Sequence, residues 1–232
     1  MNDEKNLAWS VYLLLLVIIS FQILFGIGGT ALLDPDEPVY AETAKEMIRF
    51  GDYLSPRIYN EFWYDKPPVF YWLVALSLRI FGGFSELAAR LPAALMAIGS
   101  ILMTALVTAR IFGARTGFWS GLVMGTSVIL MYMGKASVTD STLLFFMTAA
   151  LFSFIRRHYW LMYLACGLAV MTKGPIGVVF PAGIVFFYLL AARQLEQIFR
   201  MHILRGLLLV VVVGLPWYVY MYEVHGMAFL YE

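Results

Sequence analysis

Eight apolar runs, at roughly residues 9–27, 68–84, 88–109, 117–134, 141–155, 159–172, 175–192 and 204–222, occupy most of this 232-residue chain. A soluble domain would have to bury nearly all of them, beneath a surface in which about a quarter of all residues are charged. Here 62% of residues are hydrophobic and 13% charged, and the mean hydropathy is +0.80. The chain therefore reads as an all-α integral membrane protein, in which each spanning helix needs about 20 apolar residues. A net charge of +1 gives no basic footprint, so no nucleic-acid partner is expected. Cys166 is the single cysteine and lies inside an apolar run. It can build neither a disulfide framework nor a thiolate metal cluster, and reads as a buried structural thiol. The first run is longer than a signal-peptide core of 7–15 residues and lacks a small-residue cleavage signal, so a retained span is expected.

Basic residues set the topology. If all eight runs crossed the membrane with Asp36 outside, Arg110, Arg115, Arg156 and Arg157 would all lie outside with it. The preference for basic residues on the cytoplasmic side resists that arrangement. If the run 68–84, which bears Tyr71 and Trp72, lies along the outer interface instead, Arg110, Arg115, Arg156, Arg157, Arg193, Arg200 and Arg205 all become cytoplasmic. About seven spans follow, in one domain over 1–232, with 28–87 as the first extracytoplasmic loop. Within that loop Tyr40–Phe50 is patterned as an amphipathic helix, with Val39, Ala44, Met47 and Ile48 set against Glu42, Lys45, Glu46 and Arg49. This parity gathers Asp34, Asp36, Glu37, Lys66, Asp140 and Glu223 on the outer side. No internal repeat is visible.

Four segments there carry chemistry. Leu33–Glu42 holds Asp34, Asp36, Glu37 and Glu42 next to hydrocarbon, where charge is costly unless it faces water, an ion or a polar substrate. Pro35 and Pro38 stiffen an extended stretch and are expected to present Asp36 and Glu37 on a loop. These acids read either as a general base with an acceptor-orienting partner or as a solvated acidic loop. Phe62–Trp72 sets Asp65 and Lys66 among aromatics including Trp63 and Tyr64. Rings at that density suit a membrane interface, and Lys66 is a compact cation suited to a phosphate. Asp140 reads as a helix N-cap for Thr142 and Leu143, as a charge at the lip of a cavity, or as both. Lys173, in Thr172–Lys173–Gly174–Pro175, follows a run too short to reach the far surface. It should be recessed, and calls for a lipid phosphate or a wet cavity unless it snorkels. The three histidines lack metal-ligand spacing, and a divalent ion would need Asp65 or Asp36 together with His225.

Taken in order, Asp36–Glu37 with Tyr40–Ala41–Glu42, Asp65–Lys66–Pro67 with Tyr71–Trp72, Asp140, Thr172–Lys173–Gly174 and Leu215–Pro216–Trp217 resemble the lipid-linked-sugar glycosyltransferases of family 39. They also resemble the related aminoarabinose transferases of lipid A, and the resemblance covers nearly the whole chain. It implies the GT-C fold, a multi-span helical bundle with interfacial helices in the first outer loop. It further implies transfer of a sugar from an undecaprenyl-type polyprenyl phosphate to a lipid, glycan or protein acceptor outside the cytoplasm. Asp36 becomes the leading catalytic carboxylate with Glu37 beside it and Asp140 as a second acid, while Asp34 lies on the substrate side. Lys66 and Lys173 resemble donor-phosphate contacts, with Trp63 and Tyr64 lining the donor. Aminoarabinose transferases carry Glu where this chain has Asp65, and a metal role is attached to that acid. Family members also continue through further spans, so this chain resembles an N-terminal portion of such a protein.

The expectation is thus a bacterial inner-membrane glycosyltransferase working on the periplasmic side, with membrane lipids as its surroundings. A polyprenyl-linked-sugar flippase would show cation sites on both sides or inverted repeats with paired broken helices, and neither is apparent. A non-catalytic subunit that binds lipid phosphate is the other alternative.

Overall fold

The computed structural model describes residues 2–231, with residues 2–9, 13 and 231 described by their backbone alone. Helices α1 (Asn2–Leu24), α2 (Asp36–Phe50) and α3 (Val69–Ile80) are interrupted by a small hairpin of β1 (Arg57–Ile58) and β2 (Glu61–Phe62). Then follow α4 (Glu86–Phe112), α5 (Ala114–Gly125), α6 (Val128–Lys135), α7 (Asp140–Ile155), α8 (Tyr159–Lys173), α9 (Ile176–Ala191), α10 (Gln197–Arg200), α11 (Ile203–His225) and α12 (Ala228–Tyr231). The protein is an integral membrane protein built of helices, as its apolar runs predict. Two compact units divide it: residues 1–41 with 76–145, and residues 42–75 with 146–232. The boundaries fall inside α2, α3 and α7.

In unit 1, α1 presents Leu15, Ile19 and Ile23, four residues apart and therefore on one face, and the turn after it adds Ile27, in one core with Ala94, Ala97, Ile98, Ile101 and Ala105 of α4. Lipid is as apolar as these side chains, so close packing has to hold the helices together. Small residues make it possible. Gly117, Gly121 and Gly125 line one edge of α5: a β-carbon on Gly117 would strike Ala109 and the Ala105 carbonyl, one on Gly121 would lie 2.8 Å from Ala105 and Leu15, and one on Gly125 3.1 Å from Ile19. Such a glycine stripe lets backbones approach closely. The expected single helix over 117–134 is instead bent by 65° between α5 and α6. At the break Thr126 and Ser127 donate their N–H groups to Leu122 and Met124, while Gln22 Nε2 of α1 donates to the Gly125 carbonyl at 3.2 Å.

In unit 2, α8, α9 and α11 pack through Met162, Cys166, Val185, Leu189 and Val210. Gly206 gives room to the Tyr163 ring, and Gly177 lets α9 sit against the Ala169–Val170 backbone. Cys166 is buried, as expected. A second core joins Val69 of α3, Met171 of α8, and Trp217 and Met221 of α11.

Among the described residues, α4 and α11 are each long and apolar enough to cross a membrane, and the bent α5–α6 pair makes a third if it is one span. At 1.5 Å per residue, the 16 residues of α7 or α9 reach ~24 Å and the 12 of α3 reach ~18 Å, against a hydrocarbon core of ~30 Å.

Candidate active site

The sequence-predicted residues fall into two groups. Unit 1 carries Asp34, Asp36, Glu37 and Asp140; unit 2 carries Trp63, Tyr64, Asp65, Lys66, Lys173 and His225.

The acidic segment is helical sooner than its prolines suggest. α2 begins at Asp36, so Asp36, Glu37 and Pro38 form its first turn rather than an extended loop. The first turn has N–H groups without intrahelical partners, so a proline there removes nothing the helix uses. The two acids then part ways. Asp34 and Asp36 are exposed, whereas Glu37 is 2% exposed. Arg90 of α4, 3% exposed, grips both Glu37 oxygens, through Nε to Oε1 at 2.8 Å and through Nη2 to Oε2 at 2.7 Å. The backbone N–H groups of Leu33 and Ser137 donate to the same carboxylate at 2.7 and 2.6 Å. Arg90 also donates to the carbonyls of Ile27, Thr30 and Ala31, each at 2.8 Å. Burial pushes the Glu37 carboxyl up. The Arg90 guanidinium and the Leu33 and Ser137 N–H groups outweigh it and hold the group below the usual carboxylate range.

With its lone pairs committed, Glu37 fastens the acidic segment to α4 and to the α6–α7 connection. The expectation of Glu37 as a reacting partner of Asp36 is replaced by that of an anchor which leaves Asp34 and Asp36 at the surface. Asp140 is the first residue of α7, where a negative charge complements the helix N-terminus. The buried hydroxyls of Thr139 and Thr142 flank it without a hydrogen-bond partner among the described residues.

Unit 2 builds its site on the hairpin. Tyr59 and Asn60 both have positive φ (54° and 70°), the two-residue turn that matches strand twist. The Asn60 N–H is taken by the Glu46 carboxylate at 3.0 and 3.1 Å, and Glu46 is 2% exposed. Asp52 accepts from the N–H groups of Leu54 and Ser55 and pairs with Arg57 at 3.1 Å. Arg57 lies over the rings of Phe50 and Phe62. Trp72 Nε1 donates to the Tyr53 carbonyl at 2.6 Å and Trp217 Nε1 to the Leu54 carbonyl at 2.8 Å. This loop therefore holds a fixed shape.

The loop delivers Asp65 and Lys66, paired at 2.6 Å, to the start of α3. Lys173 ends α8, where Gly174 turns the chain at φ +82°. Val69, three residues after Lys66, and Met171, two before Lys173, share one core cluster, so both lysine-bearing segments border the same patch. Tyr64 packs against that cluster, and the indole N–H of Trp63 is buried without a hydrogen-bond partner among the described residues.

The two residues expected to hold a metal ion have other partners. Asp65 is engaged by Lys66, while His225 is 3.0 Å from Ser55 Oγ and packs against Phe62 and Tyr64. No group of three or more His, Cys, Asp or Glu residues that could hold an ion forms among the described residues.

Sequence reasoning missed the roles of Arg90, Glu46 and Lys135. Arg90 is a charge inside the 88–109 run, and such a residue is itself a signal. Glu46 falls, by its spacing, on the charged face of the amphipathic 40–50 segment, yet it is buried. Lys135, whose Nζ donates to the Phe25 carbonyl at 3.1 Å, ends the 117–134 run.

Residues 65–220 match the family model described as dolichyl-phosphate-mannose-protein mannosyltransferase. The chain belongs to this family. Similar proteins include an uncharacterized protein of Aquifex aeolicus (strain VF5), 35% identical over 94% of this chain and 45% of its own length. Another is the undecaprenyl phosphate-alpha-4-amino-4-deoxy-L-arabinose arabinosyl transferase of Edwardsiella ictaluri (strain 93-146), 30% identical over 82% of this chain and 36% of its own. The crystal structure of ArnT from Cupriavidus metallidurans bound to undecaprenyl phosphate superimposes with a TM-score of 0.84 at 26% identity, covering 91% of this chain and 41% of that one. The apo structure gives 0.86 at 25% identity, over 95% and 43%. The fold is thus the GT-C membrane fold of the aminoarabinose transferases. This chain spans about half or less of the length of the relatives it matches.

Proposed function

We propose that this member of the mannosyltransferase family belongs to a membrane glycosyltransferase that takes a sugar from a polyprenyl phosphate of the undecaprenyl type. It delivers that sugar to a lipid, glycan or protein acceptor on the periplasmic side. The observation that carries this reading is the superposition over 91% of the chain on an ArnT bound to undecaprenyl phosphate. α2 and α3 serve as interfacial helices, a role that the amphipathic face of α2 and the ~18 Å length of α3 support.

In the reaction the acceptor oxygen attacks the anomeric carbon, the bond from that carbon to the phosphate oxygen breaks, and polyprenyl phosphate departs. Asp36, exposed and water-facing, accepts the acceptor's proton or orients its hydroxyl. Asp34 and Asp140 contribute fixed negative charge that holds a polar sugar. Lys66 and Lys173 meet the phosphate, which gains charge as it leaves, and a fixed cation stabilises that charge more in the transition state than in the ground state. The Trp63 indole and the Tyr64 ring border the donor. Glu37 and Arg90 act by holding the acidic segment in place.

Donor binding and transfer separate the roles. With undecaprenyl phosphate as probe, Asp36→Asn should bind as wild type does and lose about 10²–10⁴-fold in transfer, the usual contribution of a general base. Lys66→Ala should lose affinity in a folded protein. Wild-type transfer in Asp36→Asn overturns the assignment of the base.

A further inference from the structure

The end of unit 2 remote from Lys173 is built differently. Helices α7 and α9 both close on a left-handed residue, Arg157 (φ 58°) and Arg193 (φ 54°). In each case the next N–H reaches back, from His158 to the Ser153 carbonyl at 2.8 Å and from Gln194 to the Leu189 carbonyl at 2.9 Å. Glycine normally takes that position because a β-carbon is strained there. Two arginines hold it here.

With Arg200 of α10 they line a cleft of about 490 Å³, completed by Tyr159, Gln197 and Glu196. Gln197 Nε2 donates to Tyr159 Oη at 3.0 Å and pins α10 to α8. None of the three arginines pairs with a carboxylate among the described residues. α10 and the residue after it form a shared wall, because Ile198 and Met201 face a second cavity of about 180 Å³. That cavity is walled by apolar side chains, among them Met162, Val185 and Leu189. α8 runs 15 residues from Tyr159 to Lys173, so the cleft lies ~21 Å along the helix from the lysine end.

We propose that unit 2 binds an anionic phospholipid at this end, with its phosphate among Arg157, Arg193 and Arg200 and one acyl chain in the adjoining apolar cavity. A guanidinium fork matches phosphate oxygens in pairs. Basic pockets between membrane helices on the cytoplasmic side suit lipid headgroups, and these arginines belong to the set whose excess defines that side. The charged cleft and the apolar cavity behind one four-residue helix match a molecule that is charged at one end and greasy at the other. The inference stands independently of the transferase reading.

The test is native mass spectrometry of the detergent-purified chain with phosphatidylglycerol or phosphatidylcholine of the same acyl chains. Wild type should retain phosphatidylglycerol preferentially, and R157Q/R193Q/R200Q should lose about fivefold in retention per arginine removed. Ala182→Phe, which fills the apolar cavity without changing charge, should also lower retention. R110Q/R115Q, which removes two arginines from unit 1, should leave it unchanged. Equal retention of the two lipids by wild type overturns the proposal, as does an R110Q/R115Q loss as large as that of the triple variant. An unaffected Ala182→Phe overturns the acyl-chain assignment. If the triple variant fails to fold, R200Q alone should still show its fivefold loss, and undiminished retention there overturns the proposal equally.

Discussion

Arg90→Met tests the anchor beneath the acidic segment. The substitution keeps most of the side-chain volume but removes the cation, leaving the buried Glu37 carboxylate with only the Leu33 and Ser137 N–H donors. Breaking one partner out of a buried ion pair costs about 3–5 kcal/mol. The Thr30 and Ala31 carbonyls belong to exposed residues and can turn to water, but Ile27 is 4% exposed, and its orphaned carbonyl adds about 1–3 kcal/mol. A total near 5 kcal/mol should lower the melting temperature by roughly 10–20 °C, by the scaling for proteins of 150–250 residues. The assay is a melt in detergent, with limited proteolysis at residues 28–35 to see whether that stretch opens first. Glu37→Gln combined with Arg90→Met should recover about 2–3 kcal/mol, because the lone buried charge is gone. An Arg90→Met melt within about 2 °C of wild type would refute the reasoning, since that is worth under about 1 kcal/mol.

The same pair predicts acid sensitivity. Glu37 is held below its ordinary value, so its stabilisation is fully present above about pH 4.3 and is lost as pH falls through the lower folded value. Melts should therefore fall on acidification in wild type and flatten in Glu37→Gln. Gly117→Ala should destabilise by about 1–3 kcal/mol through overpacking against α4, measured by melting. Gly183→Ala, with open space around it, should instead stabilise by about 0.5–1 kcal/mol. Glu46→Met should free the Asn60 amide, and hydrogen exchange there should quicken about 5–100-fold, as the loss of one buried hydrogen bond implies.

The apolar runs are legible as helices because the bilayer admits few other backbones, and α4, α8, α9 and α11 fall close to the runs that predict them. Breaks within runs are less legible. The Thr126–Ser127 bend interrupts an otherwise apolar stretch, and only the small and polar Gly125–Thr126–Ser127 triplet and the spacing of Gly117, Gly121 and Gly125 mark it. Asp36 and Lys66 stand out in sequence as charges near the membrane surface. The difference between Asp36 and Glu37 does not, because it arises from Arg90, 53 residues from Glu37. Burial of Glu46 was hidden for a similar reason: its partner is a backbone amide of the hairpin turn, and the turn's left-handed Tyr59–Asn60 pair has no glycine to announce it.

The Gln22 hydrogen bond to the Gly125 carbonyl also dictates how the N-terminal rod can slide. Shifting α1 by one helical turn would carry the Gln22 amide away from both the Gly125 carbonyl and the Met131 sulfur. A neighbour's broken backbone thus works as a detent, fixing the depth at which the first helix seats.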